Sequence, residues 1–554
     1  MSQTPRHSRA VSSLNVQAPI VFIGAAILFL LLRASNYLAV DGALRPLQVY
    51  QLGRPLLNGN NHLLYPINVY VWSILIRSLG IHVTNPFAFL AWIQAMNAIA
   101  AAAFVTVLYS LCYKLTNRIA ISLLVALGYA LSRAVLAHAT NSAEPMVGLF
   151  WSGLSFALAA YGVSRDKNWA ATVGGFLLAL AMATYQSMVF IGVPIVFLLW
   201  QWPRHQAKDT VLRSRIFAVT YFVAGFVLGI PIIYGAAYYA SGTRTAMGMV
   251  VQFLQVPAKE VYGGVSLVKC VAVLPGLAYA LFPCLPHECD GFRCLAARQY
   301  RAWVPVAGLA VIFAGLLVVA ILALVRKLWT VLREFEKVAI MCCGVGLIST
   351  IPALVYWLPT YDKLWLQPLA FLIFSAAILV NAAPRIETRT STVVWPARWI
   401  YAVVVLVGLT NLGRTAYAST QPTPHLEEAQ EVATLVKPTD LLVGDWNKIF
   451  LLYQAFWAPR ANSFNIETET DHDGSASVAV EFLNDKIAKT RAAGGHVFFL
   501  GLIDVSVSDW KRLIGNREGL SYHSFDDYRR CSVLVKAFPS QDRTITLRQL
   551  NTCQ

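Results

Sequence analysis

Long apolar blocks closed by short polar breaks fill the chain as far as residue 416. A helix needs about 20 apolar residues to cross a bilayer core of roughly 30 Å. Blocks of about that length are 18–38, 86–112, 119–136, 146–163, 169–184, 185–201, 216–240, 302–325, 338–357, 364–381 and 399–416, which predicts about eleven transmembrane helices. The first lies behind Arg6 and Arg9, is followed by Arg33, and has no small-residue cleavage site, so it reads as a retained span rather than a secretory signal. The run 169–201 is too long for one crossing, and Thr184-Tyr185-Gln186-Ser187 predicts the break where the chain turns back. The stretch 63–80 is apolar but holds Pro66, Asn68 and Arg77, which predicts a helix lying along the bilayer surface. Beyond residue 416 the apolar runs shorten. "DLLVGDW" (440–446), "HVFFLG" (496–501) and "CSVLVKAF" (531–538) predict strands, and "SVAVEFLNDKIAKTRAAGG" (477–495) an amphipathic helix stopped by glycine. Strand–helix alternation predicts a small α/β domain at 417–554 behind a membrane domain at 1–416.

Composition agrees with that division. The 554 residues are 57% hydrophobic and 13% charged, about half the charged fraction of an ordinary soluble chain. A string of soluble domains is excluded. The net charge of +16 would raise nucleic acid in a soluble protein, but no basic run is interleaved with aromatics, and lysine and arginine serve here to hold loops in the cytoplasm. With a cytoplasmic N-terminus, the loops carrying Lys114 and Arg118, Arg165 and Lys167, Arg204 to Arg215, Arg326 to Lys337, and Arg385 to Arg398 all fall on the cytoplasmic side. An odd number of crossings then puts the C-terminal α/β domain outside the cytoplasm. A further crossing at 265–283 would invert every later loop, so that apolar stretch is predicted not to cross.

On this threading the chemically useful side chains gather at the outer face. Asp41, Arg45, Arg54 and His62 lie in the first outer loop. His138, Asn141 and Glu144 lie in the second, Tyr185 and Gln186 at the break, and Asp362, Lys363 and Gln367 in a later one. Asp41 follows a span, where the negative helix end disfavours an anion, so capping explains it poorly. Glu144 precedes Pro145 at a span start, a position where an acid also has a structural reason to be.

The order of these features resembles the integral membrane glycosyltransferases of the C-type fold (GT-C), which use polyprenyl-phosphate sugars. An acid just after the first span is matched by Asp41-Gly42, followed by "VYQLGRPLLNG" (49–59) and "NHLLYPINVYVW" (61–72). A second outer-loop acid is matched by Glu144-Pro145, and a basic–aromatic segment entering a late span by "YDKLWLQPLAF" (361–371). Two departures stand out: Asp41 has no second acid beside it, and His62 no prolines after it. The resemblance implies a polytopic helical enzyme of the bacterial inner membrane that glycosylates a glycan or glycolipid acceptor, of the kind that decorates O-antigen or lipopolysaccharide. It implies Asp41 as general base and Glu144 as its catalytic partner. Lys363, Arg45 and Arg54 would hold the donor phosphate, and His62, Asn141, Tyr185, Gln186 and Gln367 the substrates. The expected partners are the polyprenyl-phosphate sugar, the acceptor and membrane lipids, with no nucleic acid. No metal is expected to be obligatory, with Mg²⁺ or Mn²⁺ shared by Asp41 and Glu144 left as the alternative. The competing readings are a glycan polymerase or ligase, and a lipid-linked sugar transporter or flippase.

Cys270, Cys284, Cys289 and Cys294 are spaced poorly for zinc, and on the oxidising side predict disulfides whose pairing the spacing leaves open. Cys531 and Cys553 are a further candidate pair. Cys112, Cys342 and Cys343 fall within spans and are expected to be reduced.

Overall fold

The computed structural model describes residues 4–33, 40–55, 62–202, 208–241, 245, 247, 265–281, 329–357, 361–386, 394–420, 423, 425–445, 447–457, 463–466, 476–507, 510, 522–539 and 544–551. The chain is mostly helical. Up to the middle of the sequence the helices are α1 (Thr4–Leu31), α2 (Val40–Leu52), α3 (Tyr65–Ser78), α4 (Pro86–Thr116), α5 (Ile119–Ala130), α6 (Arg133–Ala139), α7 (Pro145–Arg165), α8 (Asn168–Thr184), α9 (Gly192–Gln201) and α10 (Lys208–Ser241). Then come α11 (Leu267–Leu281), α12 (Glu334–Tyr356), α13 (Leu366–Ala382) and α14 (Val394–Thr420).

Among the described residues six helices are long and apolar enough to cross a membrane, or seven if the bent pair α5–α6 is one span. That is fewer than the eleven expected. The block 302–325 lies outside the described residues. The halves of the 169–201 run form shorter apolar helices, and the break falls at Tyr185, where α8 gives way to a 3₁₀ helix at Gln186–Ile191. Among the described residues of the apolar stretch 265–283 lies the 15-residue α11. The block 119–136 is not one straight span: α5 and α6 meet at 67°. The bend has a tertiary cause. Asn411, buried on α14, donates its amide to the Leu131 and Leu281 carbonyls at 2.8 Å each, giving the backbone at the break a partner it lacks within the helix.

Small residues set the closest helix contacts. A Cβ on Gly175 of α8 or on Gly225 of α10 would lie 2.0 Å from the Phe222 or Thr172 carbonyl oxygen. Such close approach is how apolar helices associate where lipid offers no hydrophobic contrast. At one end of the bundle Glu336, in the first turn of α12, is fully buried and accepts two bonds from Arg385, at 2.6 and 2.8 Å, and one from Arg333 at 2.8 Å. This clamp ties α12 to the end of α13. The opposite end, where α7 and α13 begin, carries the candidate site.

The C-terminal segment forms a five-stranded sheet of order β2-β1-β3-β5-β4, made of β1 (Leu441–Gly444), β2 (Ser463–Asn465), β3 (Val497–Leu500), β4 (Ser532–Phe538) and β5 (Ile545–Leu550). β2, β1 and β3 are parallel, and β5 runs antiparallel to both β3 and β4. The three short parallel strands are buried throughout, as a sheet covered on both faces requires. Its helices are α15 (Leu426–Leu435), α16 (Lys448–Phe456), α17 (Ala476–Ala492) and α18 (Asp526–Arg530). Asp445 directly follows β1 and accepts the Asn447 N–H at 3.0 Å, and Asn447 caps α16. Helix α16 sits on α2: Gln51 donates to the Ala455 carbonyl at 3.2 Å, and Phe456 stacks on Phe87 of α4 at 4.7 Å. The 31 residues of α4 span about 46 Å at 1.5 Å per residue, longer than a bilayer core, so its first turn can extend to meet α16.

Cys112, Cys342 and Cys343 are buried and free. Cys270 is a correction. It lies inside the regular helix α11, not in a cross-linked loop, and is exposed and free. Cys284, Cys289, Cys294 and Cys553 lie outside the described residues. Cys531 is disulfide-bonded.

Candidate functional site

Glu144 is the centre of the site. It is 0% exposed and stands immediately before Pro145 at the start of α7. Its Oε1 lies 3.3 Å from His62 Nε2 and 3.4 Å from Lys363 Nζ. Oε2 has no hydrogen-bond partner among the described residues. The His62 ring stacks on Tyr185 at 5.5 Å and 9°. The Lys363 ammonium stands over the Tyr361 ring at 4.6 Å and the Tyr185 ring at 5.6 Å, which suits a cation withdrawn from water. Burial favours the uncharged acid, but the His62 ring and the Lys363 and Arg45 charges outweigh it and hold the Glu144 carboxyl well below the usual carboxylate range. Burial lowers His62 to about 3 against the pull of Glu144. The Glu144 carboxylate thus faces the Lys363 ammonium.

The loop that carries Glu144 is fixed from several sides. Asn97, fully buried within α4, donates its amide to the Asn141 and Ala143 carbonyls at 2.7 and 2.6 Å. The Tyr65 hydroxyl donates to the Ser142 carbonyl. Asn141 Oδ1 accepts the Ser142 N–H at 2.6 Å, so this side chain shapes its own turn. Gln367 donates to the Ser187 carbonyl at 3.1 Å and ties the start of α13 to the break beside Tyr185. Gln186 opens the 3₁₀ helix there and is half-buried.

Asp41 is the second residue of α2. That corrects the expectation that it ends a span: α1 stops at Leu31, and Asp41 instead meets the positive start of a new helix, where an acid is favoured. Its neighbour Gly42 touches the Glu144 loop. A Cβ there would lie 2.8 Å from the Ala143 nitrogen and 2.9 Å from the Ser142 carbonyl carbon. Gly42→Val is accordingly expected to push α2 off this loop and destabilise the protein by about 1–3 kcal/mol. A thermal melt in detergent checks it, with an unchanged midpoint arguing against the contact. Arg45 lies one turn along α2. Arg54 is exposed past the far end of that helix, about 20 Å along its axis from Asp41 at 1.5 Å per residue, and does not join the cluster.

Asp362, His138 and Arg133 form an adjoining group. Asp362 accepts from His138 Nε2 at 3.0 Å and pairs with Arg133 Nη1 at 3.5 Å. Tyr65, Asn97 and Arg133 were not expected as site residues. Asn97, one of two amides in an alanine-rich span, and Arg133, a charge inside an apolar block, carried a readable signal, whereas Tyr65 carried none. No group of three or more His, Cys, Asp or Glu among the described residues is arranged to hold a metal ion. Glu144 and His62 supply two donors, and the Lys363 ammonium already takes the electrostatic position a dication would need.

Solved structures share this arrangement of helices. ArnT from Cupriavidus metallidurans in the apo state matches with a TM-score of 0.54 at 12% identity, over 98% of this chain and 100% of that one. ArnT bound to undecaprenyl phosphate matches with a TM-score of 0.53 at 11% identity, over 96% and 97%. The chain shares its fold with these two structures. The oligosaccharyltransferase of Archaeoglobus fulgidus, in complex with zinc and sulfate, also matches, with a TM-score of 0.51 at 12% identity over 95% of this chain and 72% of that one. No family model and no curated protein sequence matches the chain.

Proposed function

We propose that the chain is an inverting membrane glycosyltransferase that moves a sugar from a polyprenyl-phosphate donor to a hydroxyl of a glycan or glycolipid acceptor. The reaction lies at the outer face of a bacterial inner membrane, with the N-terminus in the cytoplasm and the C-terminal sheet outside. The observation that carries this reading is the fully buried Glu144 facing Lys363 beside the start of α2, at one end of a GT-C bundle. The undecaprenyl phosphate bound by ArnT belongs to the class of leaving group expected here.

A sugar hydroxyl is a poor nucleophile at neutral pH. Asp41 takes its proton as the new bond forms at the anomeric carbon, an effect of about 10²–10⁴-fold. The bond from that carbon to the phosphate oxygen breaks with its electron pair, and the lipid phosphate leaves. That group needs no acid but does need a cation, which Lys363 and Arg45 supply. The open Oε2 of Glu144 receives a hydrogen bond from the acceptor. A single displacement inverts the anomeric centre. No step runs through a metal.

The test is purified protein in nanodiscs given a panel of undecaprenyl-phosphate sugars and glycan acceptors. One donor is expected to be consumed with release of undecaprenyl phosphate, and turnover is expected to persist in excess EDTA. Movement of the lipid between leaflets with no donor consumed would overturn the reading in favour of a flippase. Activity abolished by EDTA and restored by Mg²⁺ or Mn²⁺ would overturn the metal-free mechanism alone.

A further inference from the structure

The group of Asp362, His138 and Arg133 has no part in the chemistry above, yet it is withdrawn from water beside it. The three side chains are 11%, 7% and 16% exposed. Three ionisable groups placed out of water are a poor way to gain stability, because apolar side chains of similar volume serve at least as well. Asp362 and Lys363 are consecutive residues of one 3₁₀ turn, Asp362–Trp365. Successive side chains on such a turn point about 120° apart, so one anchored residue fixes the direction of the next. Asp362 is anchored on α6. Lys363 points the other way, to Glu144 and the two tyrosine rings. Helix α6 is the short arm of the broken α5–α6 pair, and its 67° turn is what brings Arg133 and His138 round to meet Asp362. Trp365, buried at the far end of the turn, and α11, which packs on both α6 and the turn, hold the assembly from behind.

We propose that Asp362, anchored by His138 and Arg133, is a positioning residue that aims the Lys363 ammonium at the donor phosphate. The proposal rests on the reading of Lys363 as the phosphate-binding cation. Loosening the anchor lets the ammonium drift by an ångström or so, enough to weaken both the ground-state contact and the stabilisation of the leaving group.

The experiment measures undecaprenyl phosphate binding and turnover by the full chain in nanodiscs, for the wild type, Asp362→Asn, Asp362→Glu, His138→Gln and the Asp362→Asn/His138→Gln double variant. Asp362→Asn is expected to weaken phosphate binding and to lower kcat, each on the order of ten-fold. Asp362→Glu recovers part of both. The double variant is no worse than Asp362→Asn, because both changes break one shared contact. Wild-type affinity and kcat in a folded but less heat-resistant Asp362→Asn would show a merely structural staple and overturn the proposal. Should Asp362→Asn fail to fold, His138→Gln decides it by the same two readouts. A wild-type chain that does not bind undecaprenyl phosphate defeats the reading of Lys363 itself, and the positioning role falls with it.

Discussion

Replacing Asp41 with asparagine is expected to lower kcat by about 10²–10⁴-fold while α2 stays seated. Asparagine keeps the size of the side chain and can still satisfy a helix start, so the structural loss is limited to a helix-end charge effect of about 0.3–1 kcal/mol. Gly42 is untouched and keeps α2 against the Ser142–Ala143 backbone. Donor affinity should hardly change, since Lys363 and Arg45 remain. The alternative base is Glu144, and its surroundings argue against it. Its Oε1 is engaged by His62 and Lys363, and those neighbours with Arg45 outweigh burial and depress its carboxyl. An acid held that far down is a weak proton acceptor. The measurement is kcat beside a thermal melt. Full turnover in a folded Asp41→Asn protein would take the base role from Asp41 and transfer it to Glu144 despite its depressed carboxyl.

The parts of the site that could be read in advance were those set by local pattern. Thr184-Tyr185-Gln186-Ser187 is polar in the middle of an apolar run, and α8 ends at Thr184. Strands β1, β3 and β4 stand where short apolar runs end in turn residues or glycine. Glu144, His62, Tyr185 and Lys363 each lie at the end of an apolar block, and the fold brings them together at one end of the bundle, with six or seven qualifying helices among the described residues rather than eleven. What the pattern hid was set by distant partners. Residues 119–136 are broken only by Ser122, Ser132 and Arg133, too little to mark the end of a span, and the bend after Leu131 is sustained by Asn411, 280 positions later. By pattern the stretch 40–52 is only part of the first outer loop, yet it is a helix carrying Pro46, with α4 and α16 packed along it. That Lys363 faces Glu144 across 219 positions, while adjacent Asp362 faces His138, depends on a single 3₁₀ turn that hydropathy does not register.

Lys363→Met should be the most damaging single change for function and stability together. Methionine preserves the apolar stem and its packing between the tyrosine rings, so what is removed is the charge. Without the ammonium, the leaving phosphate loses a cation in a site shielded from water, and kcat is expected to fall by about 10²–10³-fold. Glu144 meanwhile stays fully buried and loses the ammonium 3.4 Å from its carboxylate. Breaking a buried pair by removing one partner costs about 3–5 kcal/mol, and Arg45, still acting on the same carboxyl, pulls the expected loss to the lower end. The two effects separate in a second variant. Lys363→Met combined with Glu144→Gln removes both charges, so the thermal midpoint should recover most of what the single change lost, while turnover stays low because no cation has returned. Lys363→Arg keeps the charge, but its planar fork cannot reproduce the compact ammonium over Tyr361, and intermediate turnover is expected. If Lys363→Met kept wild-type kcat, the phosphate would be met by some other cation. If the double variant were no more stable than the single one, the ion pair with Glu144 would not be what holds this end of the bundle together.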